Sequence, residues 1–293
     1  MTTRPIIDAH HHVWDLSARP QPWITGEALA PLDRSFSAAD LAAEARAVGV
    51  VGTVVVQTVC VPEETPELLA LAAGSDLVAG VVGWIDLTAP DIADRIADLR
   101  ELPGGERLVG IRHQVQDEPD PNWLLRQDVR RGLLAVAAAG LAYDLVVKPH
   151  QLPAAALAAA DLTGLTFVLD HLGKPPIATG ALAPWAADLR RLAALPNTVC
   201  KLSGMVTEAT PGSWRTEDLR PYAGTVLDAF GPHRLLFGSD WPVCTLQAGY
   251  HDVVRIADGL TGRLAPDEKD AVFSRNAIRA YGLRPPELLD DGA

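Results

Sequence analysis

The residues best suited to chemistry stand at three places in the chain. Asp8-Ala9-His10-His11-His12 closes a short apolar run near the start, Asp170-His171 closes a second run, and Ser239-Asp240-Trp241-Pro242 closes a third. Side chains two apart on a strand project the same way. His10 and His12 are therefore expected to share a face, with Asp8 below them and His11 turned away. Two imidazoles side by side form either a metal clamp or a pair that binds an oxyanion. A carboxylate at Asp240 suits a metal ligand, a general base, or both. Three consecutive histidines, out of eight in the chain, are hard to bury without polar partners.

These groups meet only if the chain folds back on itself regularly, and its patterning predicts that it does. Eight near-continuous Val/Ile/Leu-rich runs recur: Pro5–Ala9, Gly52–Thr58, Val78–Ile85, Leu108–Ile111, Ala142–Val147, Leu165–Leu169, Thr198–Leu202 and Arg234–Phe237. Such runs suit parallel strands covered by helices on both sides. Helix signatures separate them. Ser37 before Ala38–Val48 reads as an N-cap and Gly49 as the glycine that ends the helix. A last helix is expected over Pro266–Tyr281.

Eight strands alternating with helices predict a single-domain (β/α)8 TIM barrel over residues 1–283, with 284–293 as a loose tail. A doubly wound open sheet would ordinarily carry a glycine-rich phosphate loop after the first strand; the histidine run stands there instead. Barrel active sites lie at the C-terminal ends of the strands. His10, His12, His171 and Asp240 all fall at such ends, from strands one, six and eight.

Other strand ends offer residues to line a pocket. Strand alternation allows only one of Arg112 and His113 to face the lumen, and Arg112 would suit a substrate carboxylate or carbonyl. Gln57, Trp84, Asp86, Lys148, Lys201 and Ser203 also lie at or beyond strand ends, while His150 suits a loop or helix cap. Trp14, Trp23 and Trp241 could wall the site, and the Pro- and Trp-containing segment Asp15–Arg34 is expected at its mouth.

Composition excludes several classes. The 293 residues carry 37 acidic against 25 basic side chains, a net charge of −12, with no basic run. Nucleic-acid and anionic-membrane binding are disfavoured accordingly. Cys60, Cys200 and Cys244 form no CxxC pair and are expected to be reduced and buried. With no signal peptide and no long apolar span, a cytoplasmic protein is the simplest expectation.

The motifs Ile7–Asp15, Gly110–His113, Val168–Pro175 (VLDHLGKP), Lys201–Gly204 and Phe237–Pro242 (FGSDWP) resemble the amidohydrolase superfamily, in its amidohydrolase-2 branch. Within that branch they are most similar to the sugar-acid lactonases of the L-fuconolactonase and L-rhamnonolactonase type. The resemblance implies a TIM barrel, hydrolysis of a small-molecule lactone, and a catalytic centre of His10, His12, His171 and Asp240, with Asp240 activating water. Arg112, His113, Gln57, Trp84, Trp14 and Trp241 are expected as substrate contacts from their places at or beside strand ends. Members of the branch differ in cofactor: some bind one divalent ion, zinc or manganese, through the same four residues, and others work without metal. The carboxylated lysine of two-metal relatives has no counterpart at strand four, which reads Arg112-His113. Related barrels decarboxylate aromatic or unsaturated acids with a bound metal, which makes metal-dependent decarboxylation the alternative reaction.

Overall fold

A computed structural model describes residues 4–284; the expected tail, apart from Arg284, lies outside the described residues. The strands are β1 (Ile6–His11), β2 (Val50–Val56), β3 (Val78–Gly83), β4 (Leu108–His113), β5 (Ala142–Leu145), β6 (Phe167–Leu169), β7 (Thr198–Leu202) and β8 (Leu235–Phe237). They form one parallel sheet in the order of the chain. The sheet closes where His12 N–H donates to Trp241 O (2.7 Å) and Asp240 N–H to His10 O (2.8 Å). Each strand leads through helical structure to the next, as the alternating pattern predicts. The helices are α1 (Ala38–Ala47), α2 (Glu64–Ala73), α3 (Ile92–Glu101), α4 (Gln127–Ala138), α5 (Leu152–Asp161), α6 (Ala183–Ala193), α7 (Thr216–Phe230) and α8 (Tyr250–Leu260). Ser37 caps α1 as expected, its Oγ accepting from Asp40 N–H at 3.2 Å.

The apolar runs are continuous because each strand is buried on both faces. Val55, Val81, Ile111, Leu145, Leu169 and Phe237 pack outward in the large core under the helices. Their neighbours Val54, Val56, Val82, Val168 and Leu236 form a separate cluster inside the barrel with Ile7 and Ala9. The last described helices plug that interior from below. The expected helix over Pro266–Tyr281 is present as α9 (Pro266–Asp270) and α10 (Asn276–Tyr281), joined by a π-helical turn at Ala271–Arg275. Ala277, Tyr281 and Leu283 join the inner cluster. Asn276 Nδ2 anchors this end by donating to Pro232 O (2.8 Å) and Leu235 O (2.7 Å).

Two expectations need correction. Asp8 does not lie below His10. On β1, Asp8 pairs with Thr53 and His11 with Val55, three residues against two, so one extra residue bulges from the ladder. The bulge breaks the two-residue alternation: Ala9 and His10 both turn inward, while Asp8 turns outward to Ser239 and Tyr250. His10 and His12 still share a face, and His11 points away to Thr53 Oγ1 (2.9 Å). Among the cysteines, Cys200 and Cys244 are buried but Cys60 is only half-buried, at the end of β2 where the strand gives way to a loop. No helix among the described residues is long and apolar enough to cross a membrane.

Candidate active site

The centre lies at the C-terminal ends of β1, β6 and β8. From β1 come His10 and His12, whose Nε2 atoms stand 3.1 Å apart. Their rings meet edge to face, and the His171 ring meets that of His10 in the same way, at centroid distances of 4.9 and 4.5 Å. Asp240 Oδ1 faces all three: it is 3.8 Å from His10 Nε2, 3.7 Å from His12 Nε2 and 3.7 Å from His171 Nε2. All four residues are buried, none more than 6% exposed.

Local backbone brings these groups together at a cost. His171, Leu172, Lys174 and Asp240 all have left-handed φ, at 51°, 57°, 52° and 59°. Each such non-glycine residue costs of order 1–3 kcal/mol and persists only when its surroundings fix it. Asp8 supplies much of that fixing for Asp240. Its carboxylate accepts from Ser239 N–H (2.8 Å), Ser239 Oγ–H (2.6 Å) and Tyr250 Oη–H (2.9 Å), clamping the turn that carries Asp240. Two glycines make room for the imidazoles. A Cβ on Gly204 would stand 2.5 Å from His171 Nδ1, and one on Gly238 would stand 2.8 Å from His10 Cβ.

The far nitrogen of each ring is held as well. His12 Nδ1–H donates to Val56 O (2.7 Å), which turns Nε2 to the centre. His171 Nδ1 meets Ser203 Oγ at 2.9 Å. His10 Nδ1 has Lys201 Nζ at 2.9 Å and Asp170 Oδ1 at 3.2 Å. Burial drives the His171 ring down to about 4 and, with the Lys201 charge beside it, holds His10 well below the ordinary imidazole value, so both are neutral. Burial works to raise Asp240, but His171, His12 and Lys174 outweigh it and keep the carboxyl below its usual range.

Beneath lies a layer of charge inside the barrel. Asp170 pairs with Lys201 (2.9 Å) and Arg112 (2.9 Å), and Lys201 pairs with Asp144 (2.5 Å). Burial alone would raise Asp170, yet Lys201, His10 and Arg112 hold it well below the usual carboxylate range. Burial, opposed by Lys201 and helped by the Asp170 charge, pushes Asp144 up to about 6.

Strand alternation on β4 decides between Arg112 and His113. Arg112 faces the lumen; its guanidinium is bonded to Asp170 and to Gln57 O, and Gln57 Nε2 donates back to Arg112 O (3.1 Å). Arg112 Nε and Gln57 Oε1 have no protein partner among the described residues. His113 turns the other way and stacks on Trp123 at 4.3 Å, its Nδ1 accepting from Trp84 Nε1–H (3.0 Å) and its Nε2 2.7 Å from Glu118.

Trp14 and Trp241 are both buried and both pack edge-on against Phe36, and Trp23 packs on Trp14. Trp14 also lines a cavity of about 360 Å³ between the Asp15–Arg34 segment and α2, which neither Asp240 nor the three inward histidines line. Asp86 accepts from Thr88, Lys148 lies 3.9 Å from Asp117 on the surface, and His150 sits in a short turn before α5.

The sequence assigns no role to Asp144, Tyr250 or Tyr281, and marks Asp170 only as the residue before His171. Asp144 leaves a trace, as a charge at an alternate position of an apolar strand. The tyrosines leave none, since each reaches its carboxylate from a helix far along the chain.

The donors present suit a single zinc-type ion. His10, His12 and Asp240 each offer an atom within 4.8 Å of the others, as do His10, Asp170 and His171. The 3.1–3.8 Å spacings at the centre bracket the edge of about 3.4 Å that a tetrahedron with zinc–nitrogen distances near 2.0–2.1 Å requires.

Comparison with known proteins identifies the family. A profile of the amidohydrolase family matches residues 7–283. The chain is 41% identical to L-fucono-1,5-lactonase of Burkholderia multivorans over 96% of its own length and 97% of that protein. It is similar to a crystal structure of an amidohydrolase from Burkholderia multivorans with bound zinc, at TM-score 0.89 and 41% identity, covering 95% of this chain and 99% of the other. A 2,6-dihydroxybenzoate decarboxylase from Rhizobium shares the fold alone, at TM-score 0.64 and 14% identity over 96% of this chain and 99% of the other.

Proposed function

The chain belongs to the amidohydrolase family, and from that premise we propose that it hydrolyses the ring ester of a sugar-acid lactone to the hydroxy acid. One observation carries the reading: three imidazole Nε2 atoms converge within 3.7–3.8 Å of a single carboxylate oxygen, in a chain 41% identical to an L-fucono-1,5-lactonase. L-Fucono-1,5-lactone is accordingly the first substrate to offer.

In this reaction Asp240 is the general base. It stays ionised because the neighbouring imidazoles and Lys174 outweigh its burial. It takes a proton from water as the oxygen adds to the lactone carbonyl, and it returns that proton to the ring oxygen when the C–O bond of the tetrahedral intermediate breaks. Neutral His10 and His171 suit the other half of the task. With Nδ1–H donating to Val56 O, His12 turns its Nε2 to the centre, where it can ligate a cation. His10, His12, His171 and Asp240 are the residues that would hold a zinc or manganese ion. When bound, such an ion supplies Lewis-acid polarisation of the carbonyl and a more acidic water. Arg112 and Gln57 bring unmatched polar atoms to the lumen wall for substrate oxygens, and His113 and Trp84 shape the β3–β4 side of the pocket. Trp14 and Trp241 act from behind, through Phe36.

The test is acid release from a lactone panel, followed with a pH indicator before and after chelation. Turnover of L-fucono-1,5-lactone, lost on chelation and restored by zinc or manganese, is the expected result. Turnover that survives chelation removes the ion and keeps the Asp240 base. No acid release from any lactone overturns the reading.

A further inference from the structure

The interior of a barrel is ordinarily filled by layers of branched aliphatic side chains. Here the layer beneath His10 is ionic. Lys201 Nζ lies 2.5 Å from Asp144 Oδ2, 2.9 Å from Asp170 Oδ1 and 2.9 Å from His10 Nδ1, and all four side chains are fully buried. At its foot the layer is closed by the C-terminal helix: Tyr281 Oη stands 2.9 and 2.8 Å from the two oxygens of Asp144.

A buried charge set is a poor way to gain stability, since well-packed apolar side chains of the same volume often serve as well or better. What this set reaches, and an aliphatic layer could not, is His10 Nδ1. Two groups with opposite demands meet there. The Lys201 ammonium can only donate to that nitrogen, and the ionised Asp170 can only accept from it. Asp144 draws the ammonium from the other side, and among the described residues the one side chain from outside the eight strands that fixes Asp144 is Tyr281.

We propose that Tyr281 is a positioning residue for His10, acting through Asp144 and Lys201 to set the orientation of the His10 ring toward Asp240. The inference rests on the reading of His10 as part of the reactive group. It ties α10, at the opposite end of the barrel, to the chemistry at the mouth.

The test is Tyr281→Phe, which keeps the ring and its packing and removes the bond to Asp144. Two readouts are taken. With L-fucono-1,5-lactone, kcat is expected to fall about tenfold, the lower end of the range for partners behind a reactive histidine, with KM within about twofold. In long-range 1H–15N spectra of 15N-histidine-labelled protein, the His10 ring nitrogens are expected to shift while those of His113 and His150 stay in place. Thr198→Val is the control: it removes a hydroxyl that stands 2.9 Å from Leu192 O and 2.8 Å from Leu195 O at the same end of the barrel, and it lowers Tm without changing kcat or the His10 signals. Wild-type kcat in Tyr281→Phe, or an unchanged His10 spectrum, overturns the proposal. If that variant does not fold, Asp144→Asn takes its place with the same readouts and the same criteria. A wild-type protein that hydrolyses no lactone defeats the functional reading instead; the His10 spectrum needs no substrate and still decides the role of Tyr281.

Discussion

The two sides of the barrel mouth are built differently. On the side of β1, β6 and β8, polar groups sit at 0–6% exposure on left-handed backbone, with glycines cut away to admit them. On the side of β3 and β4, His113 is 14% exposed and held by aromatic contact: Trp123 stacks on it within 8° of parallel and Trp84 donates to it. Arg112 and His113 are adjacent on one strand and belong to opposite worlds, one locked into a buried ion pair and the other sandwiched at the rim. The first side leaves no freedom of position, which a bond-changing centre requires. The second is held by ring contacts rather than by charge, and on the proposed function it would select the substrate by shape. On the proposed function, substitutions on the first side act on kcat and those on the second on KM.

The largest expected effect is at Asp240. Asp240→Asn keeps the shape and deletes the base, so kcat should fall by about 10²–10⁴-fold while Tm stays near wild type. The measurement is steady-state lactone hydrolysis with a thermal melt. An active Asp240→Asn enzyme would remove the distinction between the two sides altogether.

Next comes a change that removes no polar group. Gly204→Ala would set a methyl group 2.5 Å from His171 Nδ1 and 2.7 Å from its Cγ, at a φ of +64°. The ring must move, and a displacement of about 1 Å at a reacting group costs on the order of 10² in rate. An intact fold with kcat reduced on that scale is expected. Wild-type kcat would show that the β6 imidazole tolerates displacement, and hence that the first side is not rigid.

Which parts of this were legible in the sequence follows from how far each interaction reaches. The alternation of apolar runs with helix signatures gave the barrel, because two-sided burial of each strand acts on every residue of the run. His10, His12, His171 and Asp240 stood out because each closes a run, and the barrel collects run ends at one mouth. Asp8 was misplaced by one bulged residue, a feature set by the fit of β1 to β2 that leaves no mark on β1 itself. The choice between Arg112 and His113 needed the register of β4, which the alternating burial of Ile111 and Ala142 on neighbouring strands settles only once they are paired. Tyr250 and Tyr281 could not be read at all: their partners Asp8 and Asp144 lie 242 and 137 residues away.

A smaller effect separates the sides by pH. His171 titrates near 4 and His11 near 3 in the fold, both below the ordinary value of 6.5 because of burial. Below about pH 6.5 the unfolded chain therefore protonates both rings while the fold does not, and stability falls as pH drops toward 4. Asp144 works the other way between about pH 4 and 6, because the fold binds its proton first. His10, held well below the ordinary value as well, adds a third ring that only the unfolded chain protonates, so the imidazoles outweigh this carboxyl and stability falls as pH drops below 6.5. Urea unfolding of chelator-treated protein at pH 6.5, 5.5 and 4.5 reads the slope; a flat or opposite dependence would mean that these rings are charged in the fold.

The smallest effect should come from the aromatic side. His113→Phe keeps the stack on Trp123 and loses the contacts to Trp84 Nε1 and Glu118. Neither contact reaches His10, His12, His171 or Asp240, so kcat should stay within about twofold. The Trp84 indole N–H and the Glu118 carboxylate, left without their partner, free the rim to relax, and a hydrogen bond of ordinary net worth, about 0.5–1.5 kcal/mol, corresponds to a rise in KM of roughly 2–10-fold. The ratio of rates on two lactones that differ at one ring carbon sharpens the comparison further. A change in that ratio with kcat preserved assigns selection to the β3–β4 side, whereas a fall in kcat alone would place His113 with the reactive group and dissolve the division between the two halves of the mouth.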